Sequence, residues 1–301
     1  MTAGVGQLIQ NTDYNSIRTT VDGVLGTSIS GYGQTLASSD VTTGSVITAL
    51  QWLNLRTDLV NAKQHQVGSA IGTSAATDGR NLVIPTSGSS ITEALRSQYA
   101  SMATSIFVNQ RRVDLDGVGG QLADEDLITR TQSSAWNNTL THTVTITGAA
   151  GGGGAANNLQ YFFNAGGKIR VSANITTGSS KNNAWNTMFT QMGEFVINYT
   201  STTYTGTSAS SSSSVGWNQL TTSNSQIGAK EAPSGSYAEN YYYLFARRSA
   251  DNTQLILTME YRDNDAGDPN FDENVQPTLN TLVKQYRPSG ANVSVLTPTA
   301  A

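Results

Sequence analysis

The chain has 301 residues, no Cys, 29 Gly, 6 Pro and a formal net charge of −4. Charged residues make up 13% of it, about half the usual share, while Ser and Thr together supply roughly a quarter. The missing Cys removes disulfides, thiolate metal sites and thiol nucleophiles. The weak acidity without a basic cluster removes the electrostatic footprint of a nucleic-acid binder.

A length of 301 residues suits one large or two modest domains with a real core. No apolar run approaches 18 residues, so no membrane span is expected. The opening M-T-A-G-V-G-Q-L-I-Q has neither a positive n-region nor an apolar h-region, so it does not read as a signal peptide. Disorder is also not expected. The polarity comes from neutral Ser, Thr, Asn and Gln, and the chain carries 12 Tyr, 7 Phe and 4 Trp.

Residues 1–112 read as a helical attachment module. Asn11 or Thr12 can cap a first helix, in which Tyr14, Ile17, Val21, Val24 and Leu25 follow the 3.6-residue period and Gly26 is a stop. A second helix is expected from about Ser45 to Gln64, with Val46, Leu50, Leu53 and Val60 on one stripe, broadened by Trp52, Leu55 and Leu59. The third begins at a capping box, Ser90-Ile-Thr-Glu93, and buries Ile91, Leu95, Tyr99 or Gln98, Met102 and Ile106. Residues 113–135, rich in Gly and acids, read as a flexible connection.

Residues 136–301 read as β structure. Leu140, His142, Val144 and Ile146 alternate with threonines, and Ile169, Val171, Ala173 and Ile175 with polar residues. Phe195–Tyr199, Tyr241–Arg247, Leu255–Tyr261, Leu279–Tyr286 and Val293–Leu296 continue the series, and one short helix fits Asn183–Met192. The expected fold class is therefore α+β: an N-terminal helical module followed by a C-terminal antiparallel β-sandwich of about seven strands. Gly148–Ala156 and the Ser/Thr run at 200–215 are low-complexity segments read as loops, the latter with a strand in its first half.

Motifs of catalysis are missing. The two histidines, His65 and His142, fall in different modules. His142 reads as a half-buried strand residue and His65 as a cation at a helix C-terminus. No G-x-S-x-G elbow and no Walker-type loop occur, and Gly166-Gly167-Lys168 precedes a strand where a phosphate loop needs a helix. An enzyme is not expected. The acidic loop D-N-D-A-G-D-P-N-F-D-E at 263–273 has three readings. The first is a solvated turn. The second is a structural Ca²⁺ site on Asp263, Asp265, Asp268 and Asp272, without the bidentate Glu and flanking helices of an EF-hand. The third is a catalytic pair of carboxylates, which needs an apolar pocket to raise one acid and is opposed by a wet loop. No other cofactor is expected. Tyr237 and Tyr241-Tyr242-Tyr243 are the aromatic high point. Tyr237, Tyr242 and Trp52 are the candidate interface residues, since aromatic side chains offer contact area at low entropic cost.

Several segments carry a resemblance. Y-F-F-N-A-G-G-K-I-R-V-S at 161–172 is followed by Trp185 and by M-G-E-F at 192–195. Nearer the N-terminus stand Tyr14-Asn15, V-L-G-T, G-Y-G-Q, then Trp52, Leu55, Arg56, Asp58 and N-A-K-Q-H-Q at 61–66. Together they cover about half of the chain and resemble virion structural proteins of tailed bacteriophages, particularly phages of aquatic bacteria. The resemblance implies a particle component of the tail, neck or baseplate, made in the host cytoplasm and working in the virion. Its partners would be other virion proteins and its own copies, with no nucleic acid and no membrane. It supplies no catalytic residues. A host-glycan-binding adhesin or tail-fibre receptor-binding protein is the alternative function.

Overall fold

The computed structural model describes residues 9–67, 82–85, 91–111, 122–148, 158–209, 213–233, 235, 237–265, 267–268, 271–288 and 298–301. The chain divides into two compact units. Unit 1 is Met1–Ala123 with Asn164–Gly166 and Pro288–Val295, and unit 2 is Asp124–Phe163 with Gly167–Arg287 and Leu296–Ala301.

Unit 1 is built on three helices: α1 (Asn11–Leu25), α2 (Ala49–Val67) and α3 (Glu93–Val108). Helix α1 buries the five residues that its period selects, Tyr14, Ile17, Val21, Val24 and Leu25. Its N-terminus is set by Gln10, not Asn11 or Thr12: the Asp13 carboxylate accepts the Gln10 backbone N–H at 3.0 Å. In α3 the cap is Thr92, whose Oγ1 accepts the Leu95 N–H at 3.2 Å. Ser90, expected as the cap, lies outside the described residues.

Helix α2 buries the residues expected to broaden its stripe, Trp52, Leu55 and Leu59, and leaves most of the stripe itself outside. Trp52, Leu55, Leu59 and Ala62 are fully buried, together with Asp58, Lys63, His65 and Gln66. Val46, Leu50 and Leu53 of the expected stripe are exposed, at 83%, 64% and 37%. The physical reason is packing. Trp52 fills the space between Tyr14 and Tyr99, at ring distances of 5.3 and 5.2 Å and near-perpendicular angles. The inward polar groups find partners: Lys63 Nζ donates to Ser105 Oγ at 2.8 Å, and Gln66 Nε2 to the Ile106 carbonyl at 2.8 Å. Edge-to-face aromatic packing and satisfied buried hydrogen bonds outweigh the burial of three aliphatic side chains.

In unit 2 the strands form two five-stranded antiparallel sheets. The first has the order β1 (Leu122–Gln132), β11 (Leu279–Pro288), β3 (Lys168–Ile175), β4 (Phe195–Ile197), β5 (Thr202–Tyr204). The second runs β12 (Thr299–Ala300), β2 (Asn138–Thr147), β8 (Gln254–Asp263), β7 (Tyr241–Arg248), β6 (Ser225–Glu231). A short pair, β9 (Gly267–Asp268) and β10 (Phe271–Asp272), stands apart. Helices α4 (Asn158–Asn164) and α5 (Ser180–Met192) complete the described elements. Period-2 alternation sets the register: Val144, Leu257 and Ala246 share one level across β2, β8 and β7, all wholly buried.

Side chains of the two sheets meet. Phe195 of β4 stacks on Tyr242 of β7, with centroids 6.1 Å apart and planes at 12°. Thr281 of β11 receives both His142 of β2 and Tyr261 of β8, at 2.7 and 2.5 Å. Ten strands thus stand in the two sheets where about seven were expected. Strand β1 occupies Leu122–Gln132 within the stretch read as a flexible connection, 113–135, and pairs with β11 despite its acids. Asp126 there meets Lys284 at 3.3 Å, and Gln285 donates to Glu125 at 2.8 Å. The aromatic pair Phe162-Phe163, read as the entry to a turn, lies in α4. Gly166 in the following turn does have a positive φ of 91°. The expected strand at 293–296 and most of the glycine-rich loop, 149–156, lie outside the described residues.

Candidate functional site

The residues expected to carry contacts or an ion are distributed between an internal polar cluster, the hydrophobic cores and the outer surface. Asp263 ends β8, where the strand alternation points it inward. Its carboxylate meets Nζ of Lys181, in the first turn of α5, at 2.8 Å, and the two side chains are 0% and 1% exposed. This corrects the reading of Asp263 as a wet loop ligand, because an ammonium group already occupies the carboxylate. Lys181 Nζ also donates to the backbone carbonyl of Glu273. The Glu273 carboxylate accepts the Tyr237 hydroxyl at 2.7 Å, which pushes that phenol up to about 12. Tyr237, expected at an interface, is therefore half-buried and engaged within the chain.

Two amide side chains frame this cluster. Asn182 Nδ2 donates to the carbonyls of Thr176 and Gln276 at 2.7 and 3.0 Å, while its Oδ1 accepts the Gln276 N–H at 2.9 Å. Asn240 Oδ1 accepts the backbone N–H groups of Asn264 and Asp265 at 2.9 and 3.0 Å. Such amides replace the ladder bonds that a chain leaving a sheet has lost. The side chains of Asp268 and Asp272 lie outside the described residues. Among the described residues no group of three or more His, Asp or Glu gathers at one point.

The two other candidate interface residues are core residues. Tyr242 is 0% exposed, stacked on Phe195, and burial raises its phenol well above the ordinary value. Trp52 is 0% exposed between Tyr14 and Tyr99. The neighbours of Tyr242 on β7 face outward instead. Tyr241 and Tyr243 lie half-buried with ring centroids 5.6 Å apart and planes at 10°, and Phe245 continues the row at 6.1 Å. The guanidinium of Arg262 sits 4.6 Å over the Tyr243 ring, and the Tyr241 hydroxyl donates to Glu231 at 2.7 Å. The rings of this row pack on each other, and Arg262 covers Tyr243.

Both histidines are engaged within the fold. His65 is 0% exposed, 2.8 Å from the Ala165 carbonyl through Nε2, which therefore carries the proton. Its Nδ1 is buried without a hydrogen-bond partner among the described residues. Burial lowers its pKa to about 4, so the expected helix-terminal cation is a neutral core imidazole. His142 accepts or donates at Thr281 and is also lowered, by desolvation and by Arg130.

A groove of about 290 Å³ runs between α1 and α3, lined by Asp13, Ser16, Thr20, Arg96 and Thr104 among others. Several of its polar groups are engaged within the fold. Arg96 binds Glu93 through two nitrogens, at 2.7 and 2.5 Å, and Thr20 and Thr104 donate to the carbonyls of Ser16 and Ala100.

The resembling segments do structural work. Asn15 and Asp58 hold the stretch from Ala37 to Val41. Asn164 Nδ2 donates to the carbonyls of Ile29 and Gly31 at 2.9 and 2.8 Å. Arg170 pairs with Glu194 and, at 3.1 Å, with Asp124. Compared with family models, with curated proteins and with solved structures, the chain matches none.

Among the exposed large hydrophobic side chains, which also include Ile29, Phe107 and Val108, are those of the discarded face at the start of α2. Val46 precedes the helix, and Leu50 and Leu53 stand at i and i+3 within it, flanked by exposed Thr42, Thr43, Ser45, Thr48 and Thr57. No exposed residue from 42 to 57 carries a charge. Sequence reading found these apolar residues but assigned them to the interior.

Proposed function

We propose that this chain is a non-enzymatic structural component of a tailed-phage particle, of the tail, neck or baseplate. It assembles through repeated contacts with its own copies and with other virion proteins. In this reading the two sheets of unit 2 act as a β-sandwich and unit 1 as the attachment module. The observation that carries the reading is the charge-free, apolar outer face of α2 and its approach, Val46–Leu50–Leu53. An isolated aliphatic side chain on a surface is ordinary, but three exposed within eight residues, with no fully exposed charge among them, suit a contact surface. Such a face meets its own copy without like-charge repulsion, as a symmetric assembly requires. The internal engagement of His65, Lys181, Asp263 and Arg96 supports the same reading, since the residue types of catalysis are consumed in holding the fold.

Light scattering on the purified full chain and a cryo-electron map of the virion test it. The expected result is an oligomer, with density for this chain at a symmetric position. A stable monomer with no such density on particles overturns the reading. The alternative, a host-glycan adhesin, would use the outward row Tyr241–Tyr243–Phe245. The self-stacked rings count against it, and binding of the chain on a glycan array would restore it.

A further inference from the structure

The buried pair Lys181–Asp263 is arranged as two reactants as well as an ion pair. Nζ and Oδ2 are 2.8 Å apart, and the side chains are 1% and 0% exposed. One turn along α5 from Lys181 is Trp185, and two residues before Asp263 is Tyr261, both wholly buried or nearly so. Trp185 and Tyr261 are 6.2 Å apart, and Trp136 packs edge-on to each, at 5.4 and 6.4 Å. The pair therefore shares its faces of α5 and β8 with an aromatic cluster. The proton shared along the Nζ–Oδ2 hydrogen bond can pass to the carboxylate, which leaves a neutral amine beside a neutral acid. The amine is held from a second side by the Glu273 carbonyl. The segment bearing that carbonyl is fixed by the Tyr237–Glu273 bond and by the two-way Asn182–Gln276 clamp. Reactants fixed at contact distance react as if at very high concentration.

We propose that Lys181 and Asp263 condense into an intramolecular amide that locks α5 to the end of β8. The neutral Nζ attacks Cγ of Asp263 and forms the C–N bond. The tetrahedral centre then breaks its C–O bond to the protonated oxygen, which leaves as water with a proton from nitrogen. Ammonium plus carboxylate become amide plus one water, and no oxidant, reductant or further reactant is needed. The other strong pairs lack one of these conditions. Arg96–Glu93 and Arg170–Glu194 use guanidinium, which stays protonated and is a poor nucleophile, and their carboxylates are 27% and 18% exposed.

Mass spectrometry of the full chain under denaturing conditions tests this. The expected mass is lower by one water than that calculated from the sequence. Trypsin should then leave the bond after Lys181 uncut and yield a branched peptide joining residues 171–230 to residues 263–284. In Lys181→Arg and in Asp263→Ala the full mass should return. An unshifted wild-type mass with cleavage after Lys181 overturns the proposal, as does a loss of water that persists in either variant. The wild-type measurement decides by itself even where a variant fails to fold.

Discussion

Asn15 and Val41 bind each other in both directions: the Asn15 Oδ1 accepts the Val41 N–H at 2.9 Å, and the Asn15 Nδ2 donates to the Val41 carbonyl at 2.9 Å. One amide thus imitates a strand partner for a residue that has none, and lets the Val41 side chain reach the core at 3% exposure. Asp58 secures the same segment from α2, accepting the N–H groups of Ala37 and Ser38 at 2.9 Å each and the Ser38 hydroxyl at 2.6 Å. Asn15→Ala leaves both backbone groups of Val41 without these partners and should cost about 2 kcal/mol. Asn15→Asp keeps the acceptor and loses the donor, so it should fall between. Hydrogen exchange at the Val41 amide checks the mechanism: its protection should drop sharply in Asn15→Ala and persist in Asn15→Asp.

His65 makes unit 1 sensitive to acid. Its folded pKa is about 4 against an ordinary 6.5, because burial disfavours the imidazolium. The stabilisation is complete above pH 6.5. As pH falls from there toward 4 the unfolded chain takes up a proton that the folded chain refuses, and stability is lost. The full effect is about 3 kcal/mol. His65→Gln offers an N–H to the Ala165 carbonyl without titrating. Urea unfolding of both chains at pH 7.5 and pH 4.5 should show the wild type losing about 2.5 kcal/mol more than the variant. Equal losses would remove His65 as the cause.

The helices of unit 1 were legible where one face won clearly. In α1 the apolar residues fall on a single stripe, and the period names each buried side chain. In α2 two faces compete. The one that wins contains Asp58, Lys63, His65 and Gln66, which hydropathy counts against burial. Their partners, Ala37, Ser38, Ser105, Ala165 and Ile106, come from distant positions that no local window includes. The same cause hid Asp263. Its acidic neighbours suggest a solvated loop, and only the arrival of Lys181, 82 positions earlier in the chain, turns it inward. Alternation revealed β2, β3, β7 and β8, whereas β1 was concealed by acids that a strand tolerates once Lys284 and Gln285 stand opposite.

Two glycines should respond to the same substitution with opposite signs. Gly206 approaches the end of α5 so closely that an added Cβ would lie 2.1 Å from the Gln191 carbonyl oxygen and 2.4 Å from the Met192 carbonyl carbon. Both are backbone atoms, so no side-chain rotation relieves the clash, and Gly206→Ala should cost about 1–3 kcal/mol. Gly23 lies inside α1 with nothing within 4 Å of an added Cβ. There Ala reduces the freedom of the unfolded chain and should stabilise by about 0.5–1 kcal/mol. Thermal melts of the two variants against the wild type check both signs.

The outer face of α2 offers a test of assembly that leaves the fold alone. Val46 and Leu50 are 83% and 64% exposed, so lysines there reach water without entering the core. In Val46→Lys/Leu50→Lys, two copies meeting through this face would bring like charges together over apolar surface, which opposes association. The double variant should therefore melt within about 0.5 kcal/mol of the wild type while its light-scattering mass falls to that of one chain. Thr57→Lys, placed at the border of the same face, should weaken association less. If the double variant keeps the wild-type oligomer, the contacts between copies lie elsewhere, and α2 is removed as the assembling element.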